Sequence, residues 1–199
     1  MISYSNIDPR KQAFIFELDN VLFPEKEYLY QVYYLFAGYL EYTELLDAKV
    51  LVNLMVATHE EQGAAKVFDV LQERFKIDEK YRENFEHLHT TAQIPLRIML
   101  YPEMLTLLQD IVVDRKQIFI VTNGAPKTQL NKIKHTDWQG LEAYLTCYFA
   151  NELVPKPEPD MIHLLLEKHQ FQRRDVVMIG HTETDQLCAE ACGIDLIKI

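Results

Sequence analysis

The chain has 199 residues, of which 48 % are hydrophobic and 25 % are charged, and its formal net charge is −10. This length is enough for one full domain and a smaller insertion. No cluster of lysine and arginine stands out, which argues against binding to nucleic acid or to an anionic membrane. The sequence has no membrane-spanning stretch, no signal core and only three cysteines. We therefore expect a cytoplasmic protein without a disulfide framework.

Five short apolar runs predict buried parallel strands at residues 14–18, 118–122, 145–149, 176–179 and 196–199. Helical patterns lie between them: one begins at Pro102, and two others cover residues 160–169 and 185–192. The alternation predicts an α/β fold with a doubly wound, mainly parallel, five-stranded Rossmann-like sheet. Cys188 and Cys192 share a face of the last helix, where we interpret them as small buried thiols rather than as a metal or redox pair.

The connection between the first two predicted strands has helical periodicity only and is too long for a simple crossover. We predict a core domain formed by residues 1–23 and 96–199, and an all-helical cap formed by residues 24–95 over the carboxyl ends of the strands. The cap contains the tyrosine-rich run EYLYQVYYLFAGYLEY. We interpret these tyrosines as core or interface residues, the alternative being an aromatic wall that stacks a base or a sugar.

Polar residues follow the ends of the predicted strands, and they are Glu17, Asp19, Thr122, Asn123, Gly124, Lys156, His181 and Asp185. The carboxyl ends of parallel strands meet at one edge of an open α/β sheet, where such sheets bind their ligands. A hydroxyl, backbone N–H groups and a lysine beside carboxylates are typical of a phosphate site with room for a divalent metal. Each motif alone is weak, but their joint order along the chain predicts such a site.

Residues 13–24 and 98–199 resemble the haloacid dehalogenase-like (HAD) proteins with a small helical cap, the branch that includes phosphoglycolate phosphatases and nucleotidases. Where these relatives read DLDNTL, this chain reads ELDNVL; TNG and KP are retained, and GHTETD stands in place of a GDSxxD-like run. The resemblance implies Mg²⁺-dependent hydrolysis of a small phosphorylated metabolite.

The resemblance also implies a role for each matched residue. Glu17 stands at the nucleophile position, and Asp19 would protonate the leaving group and then activate water. Thr122, with Asn123 and Gly124, would bind the phosphate, and Lys156 would neutralise it. The implied metal site is formed by Glu17, Asp19, His181 and Asp185.

Two of these residues depart from the family pattern. Glu17 is one methylene longer than aspartate, so its carboxylate overshoots by about 1 Å, and such a misplacement can cost ~10²-fold in rate. His181 removes a negative charge from the metal shell, where one contact is worth about 4 kcal/mol before desolvation. Its nitrogen suits Zn²⁺, Cu²⁺ or Ni²⁺ better than Mg²⁺. One hypothesis is a protein that keeps a phosphate pocket but is impaired or inactive as a phosphatase, as a binding or regulatory protein would be. The other is an active phosphatase that hydrolyses a small phosphomonoester, of sugar phosphate or nucleotide type, with Mg²⁺ or with a different metal.

Simpler interpretations of the same residues are open at this point. Glu17 can be a surface acid, His181 a neutral loop histidine, and Lys156 a solvated lysine. Thr122 can cap the turn that follows it, and Asp185 can be a first-turn acid favoured by the helix dipole. The sequence does not predict the substrate or the oligomeric state.

Overall fold

A computed structural model describes residues 2–199 of the chain. The chain divides into two compact units, one formed by Met1–Glu25 and Ile98–Ile199 and the other by Lys26–Arg97. In chain order, the strands are β1 Ala13–Phe16, β2 Ile98–Met99, β3 Gln117–Thr122, β4 Thr136–Asp137, β5 Leu145–Phe149, β6 Val176–Gly180 and β7 Asp195–Lys198. The helices are α1 Lys26–Glu44, α2 Ala48–Gln62, α3 Val67–Phe75, α4 Tyr81–Thr91, α5 Pro102–Val113, α6 Pro126–His135, α7 Asp160–His169 and α8 Glu183–Cys192.

The main sheet has the strand order β5-β3-β1-β6-β7, and every neighbouring pair is parallel. β1 lies in the centre, and its residues have no exposed surface, as expected of a strand covered on both faces. From β1 the chain runs outward through β3 to β5, then returns to the other side of β1 as β6 and β7. The predicted α/β fold with a five-stranded parallel sheet is confirmed.

One face of the sheet is covered by α7 and α8. Ile15 of β1 and Met178 of β6 belong to an apolar cluster with Ile162 and Leu165 of α7. Cys188 and Cys192 of α8 lie fully buried in the same cluster. The two thiols therefore pack as small apolar side chains, as the sequence favoured.

Helix α6 and the short pair formed by β2 and β4 were not predicted. The buried residues of α6 are polar, namely Gln129, Asn131 and Lys132, so its sequence has no apolar stripe at helical spacing. Pro126 does occupy the favoured first turn of the helix. The two-residue strands β2 and β4 are too short to produce a pattern.

The helical unit has an aromatic core of its own. Phe36 of α1 packs against Phe85 of α4, with ring centroids 4.9 Å apart. Tyr28 and Tyr33 are fully buried, whereas Tyr42 is 86 % exposed. The tyrosines of α1 therefore do not form one continuous wall. None of the helices that residues 2–199 form is both long and apolar enough to cross a membrane.

Candidate functional site

The first acid of the sequence motif lies at the carboxyl end of the central strand. Glu17 directly follows β1, and its backbone N–H donates to the carbonyl of Ile179 in β6 at 3.0 Å. The side chain is only 9 % exposed, so Glu17 is not a surface acid. Thr122, the last residue of β3, is fully buried and donates its hydroxyl to Glu17 Oε1 at 2.5 Å. Two neighbouring strands thus bring these side chains together, as parallel pairing requires.

Lys156 joins the carboxylates that follow β1 and β6. Its ammonium group donates to Glu17 Oε2 and to Asp185 Oδ1, the latter at 2.6 Å. The lysine side chain is 1 % exposed, which excludes an ordinary solvated lysine. Two hydrogen bonds with Asn123 hold its backbone: Lys156 N donates to Asn123 Oδ1, and Asn123 Nδ2 donates to Lys156 O, both at 2.9 Å. Asn123 therefore positions the lysine.

Asp185 is both a helix-capping residue and part of the buried cluster. It is the third residue of α8 and forms a capping box with Thr182. Its Oδ2 accepts hydrogen bonds from Thr182 N at 3.1 Å, Thr182 Oγ1 at 2.8 Å and His181 N at 3.1 Å. A Cβ atom on Gly180, at the end of β6, would lie 2.6 Å from the Cβ of Asp185. Only glycine lets the strand pass this close to the aspartate.

Asp19, the second acid of the motif, is bound by two residues of α6. Lys132 Nζ donates to both of its carboxylate oxygens, at 2.8 and 2.7 Å, and Gln129 Nε2 donates to Oδ2 at 2.7 Å. Lys132 also pairs with Glu25 at 3.0 Å. Gln129 Nε2 lies 2.8 Å from Thr122 Oγ1 as well, so it links Asp19 to the cluster around Glu17.

His181 and the glycine of the TNG motif lie at the edge of this cluster. His181 Nδ1 is 3.9 Å from Asp185 Oδ2, and this nitrogen is buried without a hydrogen-bond partner. Gly124 N donates to Asn151 Oδ1 at 2.8 Å. Ala125, not Thr122, is the residue that precedes α6, so Thr122 does not cap that helix.

The charges of the cluster shift the pKa values of its members. Burial raises the pKa of Asp19, although Lys132 opposes this shift. Burial by itself lowers the pKa of Lys132 and of Lys156, but the carboxylates around each outweigh it and raise both pKa values. Burial by itself also raises the pKa of Asp185, but Lys156 outweighs it and the net pKa shift is downward. At neutral pH both lysines are therefore ammonium ions and Asp185 is a carboxylate.

The arrangement does not fit a Mg²⁺ ion. In the part of the chain that the structure describes, no three or more histidine, cysteine, aspartate or glutamate side chains are grouped to hold a metal. Magnesium requires near-octahedral oxygen ligands. Lys156 donates to carboxylate oxygens of both Glu17 and Asp185, the two side chains that would ligate the metal together with the backbone carbonyl of Asp19. An ammonium group thus occupies carboxylate oxygens that would face the metal.

Three residues of this site were missed in the sequence: Glu25, Gln129 and Lys132. Lys132 and Gln129 lie on the helix that has no apolar stripe, and they are three residues apart, so they share one of its faces. That spacing after the TNG motif was the only available signal. Because no helix was predicted there, the three-residue spacing did not indicate that the two side chains share a face.

Comparisons with known proteins establish the family and the fold of the chain. A family model described as haloacid dehalogenase-like hydrolase matches residues 14–199. Similar solved structures include a hydrolase from Streptococcus pneumoniae TIGR4, which has 21 % sequence identity and a TM-score of 0.58. The match covers 96 % of this chain and 93 % of that chain. A candidate beta-phosphoglucomutase from Thermotoga maritima has 20 % identity, coverage of 94 % and 84 %, and a TM-score of 0.61.

An L-2-haloacid dehalogenase from Xanthobacter autotrophicus has 16 % identity, coverage of 95 % and 77 %, and a TM-score of 0.55. At these identities the solved structures establish the fold alone, and the comparison with curated proteins gave no match. The family model covers nearly the whole chain. The chain belongs to the haloacid dehalogenase-like hydrolase family.

Proposed function

We propose that this protein is a HAD-family member that retains the phosphate-binding residues of a phosphatase but is impaired in Mg²⁺-dependent hydrolysis. The proposal rests above all on the ammonium group of Lys156, which donates to the carboxylates of both Glu17 and Asp185. A nucleophile needs a free lone pair directed at phosphorus, and a metal ion needs free carboxylate oxygens. The hydrogen bonds from Lys156 occupy carboxylate oxygens that both the nucleophile and the metal site would need.

The hydrogen bonds of Glu17 support impaired attack. Oε1 accepts from Thr122 Oγ1 and from its neighbour Leu18 N, while Oε2 accepts from Lys156. Oε1 thus has both of its lone-pair directions occupied, and the ion pair with Lys156 makes Oε2 a weaker nucleophile. Together with the overshoot of the longer side chain, this lowers the expected rate.

His181 adds a second, independent reason. At the position where the family resemblance places an acid, it offers an imidazole ring whose buried Nδ1 has no hydrogen-bond partner. An uncharged ligand gives a divalent cation less electrostatic stabilisation than a carboxylate, and a nitrogen is a poor ligand for Mg²⁺. We therefore expect Mg²⁺ to bind weakly.

An active phosphatase acting on a small phosphomonoester with another divalent metal is the second candidate. One observation favours it: the two ammonium groups of Lys132 and Lys156 face four carboxylates, those of Glu17, Asp19, Glu25 and Asp185. The cluster therefore keeps a surplus of negative charge, which attracts cations. The raised pKa of Asp19 also suits a group that must donate a proton to a leaving group.

Steady-state kinetics on a panel of sugar phosphates, nucleotides and small phosphomonoesters tests this proposal. The wild type is compared with Glu17→Asp, His181→Asp and the double variant, each with Mg²⁺, Mn²⁺, Co²⁺ and Zn²⁺. We expect kcat/KM of the double variant with Mg²⁺ to exceed that of the wild type by ~10²-fold or more, since one misplaced nucleophile alone can cost that much.

The two substitutions act on one site, so the double variant is needed to read their combined effect. Ordinary enzymatic turnover of the wild type with Mg²⁺, at about 10 s⁻¹, contradicts the proposal. Turnover of the wild type with Zn²⁺ or Mn²⁺ but not with Mg²⁺ establishes the second candidate instead.

A further inference from the structure

The carboxylate of Glu17 has the surroundings of a bound anion. Leu18 N donates to Oε1 at 2.8 Å, Thr122 Oγ1 donates to the same oxygen at 2.5 Å, and Lys156 Nζ donates to Oε2. A backbone N–H, a hydroxyl and an ammonium group converge on two oxygen atoms. This is the donor set with which proteins bind a free carboxylate or phosphate.

Solvent has little access to these donors, although Lys156 has a second acceptor in Asp185. Thr122 and Leu18 are fully buried, and the Lys156 side chain is 1 % exposed. The hydroxyl of Thr122 has a second acceptor in Asn123 O at 3.2 Å, but this distance is longer than the one to Glu17. Because buried donors without acceptors are costly, the Glu17 carboxylate satisfies groups that solvent does not reach.

The length of the side chain decides which residue type can do this. Glu17 begins at the end of β1, and its Oε1 and Oε2 reach across to β3 and to the loop that carries Lys156. Aspartate is one methylene shorter, so its carboxylate falls short by about 1 Å or more. These contacts of Glu17 therefore depend on the length of its side chain as well as on its charge.

We infer that Glu17 is an internal ligand of an anion site built by Leu18 N, Thr122 Oγ1 and Lys156 Nζ, and that a free anion binds there only when the Glu17 carboxylate is removed. This inference rests on the proposed function for the assignment of Thr122 and Lys156 as anion donors. It adds a cause of impairment that does not involve a metal. The ligand class of the vacated site is a small carboxylate or inorganic phosphate.

The test removes the internal ligand and returns it as a free molecule. In Glu17→Ala, the missing part of the side chain has the same non-hydrogen atoms as acetate; in Glu17→Gly, it has those of propionate. Binding is measured by isothermal titration calorimetry and by thermal unfolding, in metal-free buffer containing a chelator, with sodium chloride at equal ionic strength as the reference. Inorganic phosphate serves as the second probe.

We expect Glu17→Ala to bind acetate with a dissociation constant on the order of 5 mM, a value that small ligands of this size can reach. At about 100 mM acetate its Tm rises by about 5 °C, and propionate has a smaller effect because its extra methylene meets the remaining Cβ. Glu17→Gly prefers propionate. The wild type shows no shift with acetate, propionate or phosphate.

Two control variants show whether anion binding requires empty space at the Glu17 side chain or only the loss of its charge, and whether Thr122 donates to the bound anion. Glu17→Gln removes the charge but fills the same space, so it binds no anion. Adding Thr122→Val to Glu17→Ala removes one donor and weakens acetate binding by about tenfold, as expected for one lost hydrogen bond.

Three results overturn the inference: acetate binding by the wild type, acetate binding by Glu17→Gln that equals that of Glu17→Ala, or no anion binding by either truncated variant while it remains folded. If both truncated variants fail to fold, acetate or propionate added during refolding must rescue them, and a failure of rescue also overturns it. Hydrolysis is not measured in any of these experiments. A failure here and a failure of the proposed function are therefore read separately.

Discussion

Lys132 and Lys156 define the chemistry of the candidate site at the level of single residues. Each side chain is at most 3 % exposed, and each holds two carboxylates. Removing one partner from a buried ion pair is far more costly than removing a surface pair, because the remaining charge has no compensation. The two lysines therefore contribute to folding as well as to the electrostatics of the site.

Lys132→Met tests this contribution at the pair that the sequence did not reveal. The variant leaves the Asp19 carboxylate, 17 % exposed, without its cation. We expect the free energy of unfolding to fall by about 3 kcal/mol in urea denaturation at pH 7, the lower end of the range for broken buried pairs.

Lys127→Met on the same helix is the matched control, because Lys127 is exposed. It should change the free energy of unfolding by no more than about 0.5 kcal/mol. Adding Asp19→Asn to Lys132→Met should recover part of the loss. A loss below about 1 kcal/mol in Lys132→Met would mean that the pair behaves like a surface ion pair.

Asp185 predicts a dependence of stability on acid pH. Burial alone raises its pKa, but Lys156 and the hydrogen bonds of Thr182 outweigh burial, so the pKa in the folded state lies below the unfolded value. A lowered pKa stabilises the fold above the unfolded pKa of about 3.9, and this contribution is lost as the pH falls through the folded pKa.

Asp185→Asn removes the titrating group. We expect it to be less stable than the wild type at pH 7, and the difference in free energy of unfolding to narrow as the pH falls below about 4. Urea denaturation between pH 7 and pH 3 measures this difference. A difference that is constant over the whole range would show that Asp185 has no lowered pKa.

At the level of elements, the site depends on how closely β6 meets α8. Gly180 ends β6, and a Cβ added there would lie 2.6 Å from Asp185 Cβ and 2.9 Å from its Cγ. A larger residue in place of Gly180 would therefore displace either the end of β6 or the first turn of α8. The close approach puts Asp185 where its carboxylate reaches Lys156.

Gly180→Ala should therefore destabilise the protein by about 2 kcal/mol, as overpacking in a core does. Gly38→Ala is its control: Gly38 lies in α1, and an added Cβ would have no heavy atom within 4 Å. Since alanine favours a helix, this variant should gain about 1 kcal/mol. Equal effects of the two substitutions in urea denaturation would contradict the account of the β6–α8 contact.

At the scale of the whole molecule, the sequence predicted the order of strands and helices because apolar runs mark most of the segments that pack in the core. The prediction of buried strands was wrong for β5 and β7, the edge strands, which are only partly buried. Residues 160–169 were predicted as a helix, and α7 has those bounds. Helix α6 was not predicted because its buried residues are polar. Their burial depends on partners that are distant along the chain, such as Asp19. The pattern of apolar residues within one segment carries no information about contacts with such distant residues.

The same limit applies to the site. The residues at the strand ends could be predicted, because parallel strands share one edge and the motif order is informative. Lys132 lies 113 residues from Asp19 along the chain, and only the fold pairs them. The catalytic and metal-binding roles of Glu17, Asp19, His181 and Asp185 stay predictions.

Titration of the metal-free wild type with Mg²⁺ by isothermal titration calorimetry tests the central claim most directly: the carboxylates of the site are bound by lysine ammonium groups and not by a magnesium ion. The Glu17→Asp, His181→Asp double variant is the matched control. We expect no saturable binding by the wild type up to about 10 mM Mg²⁺, and measurable binding by the double variant, because shorter and additional carboxylate ligands suit magnesium. Saturable binding by the wild type with a dissociation constant below about 1 mM would contradict the claim.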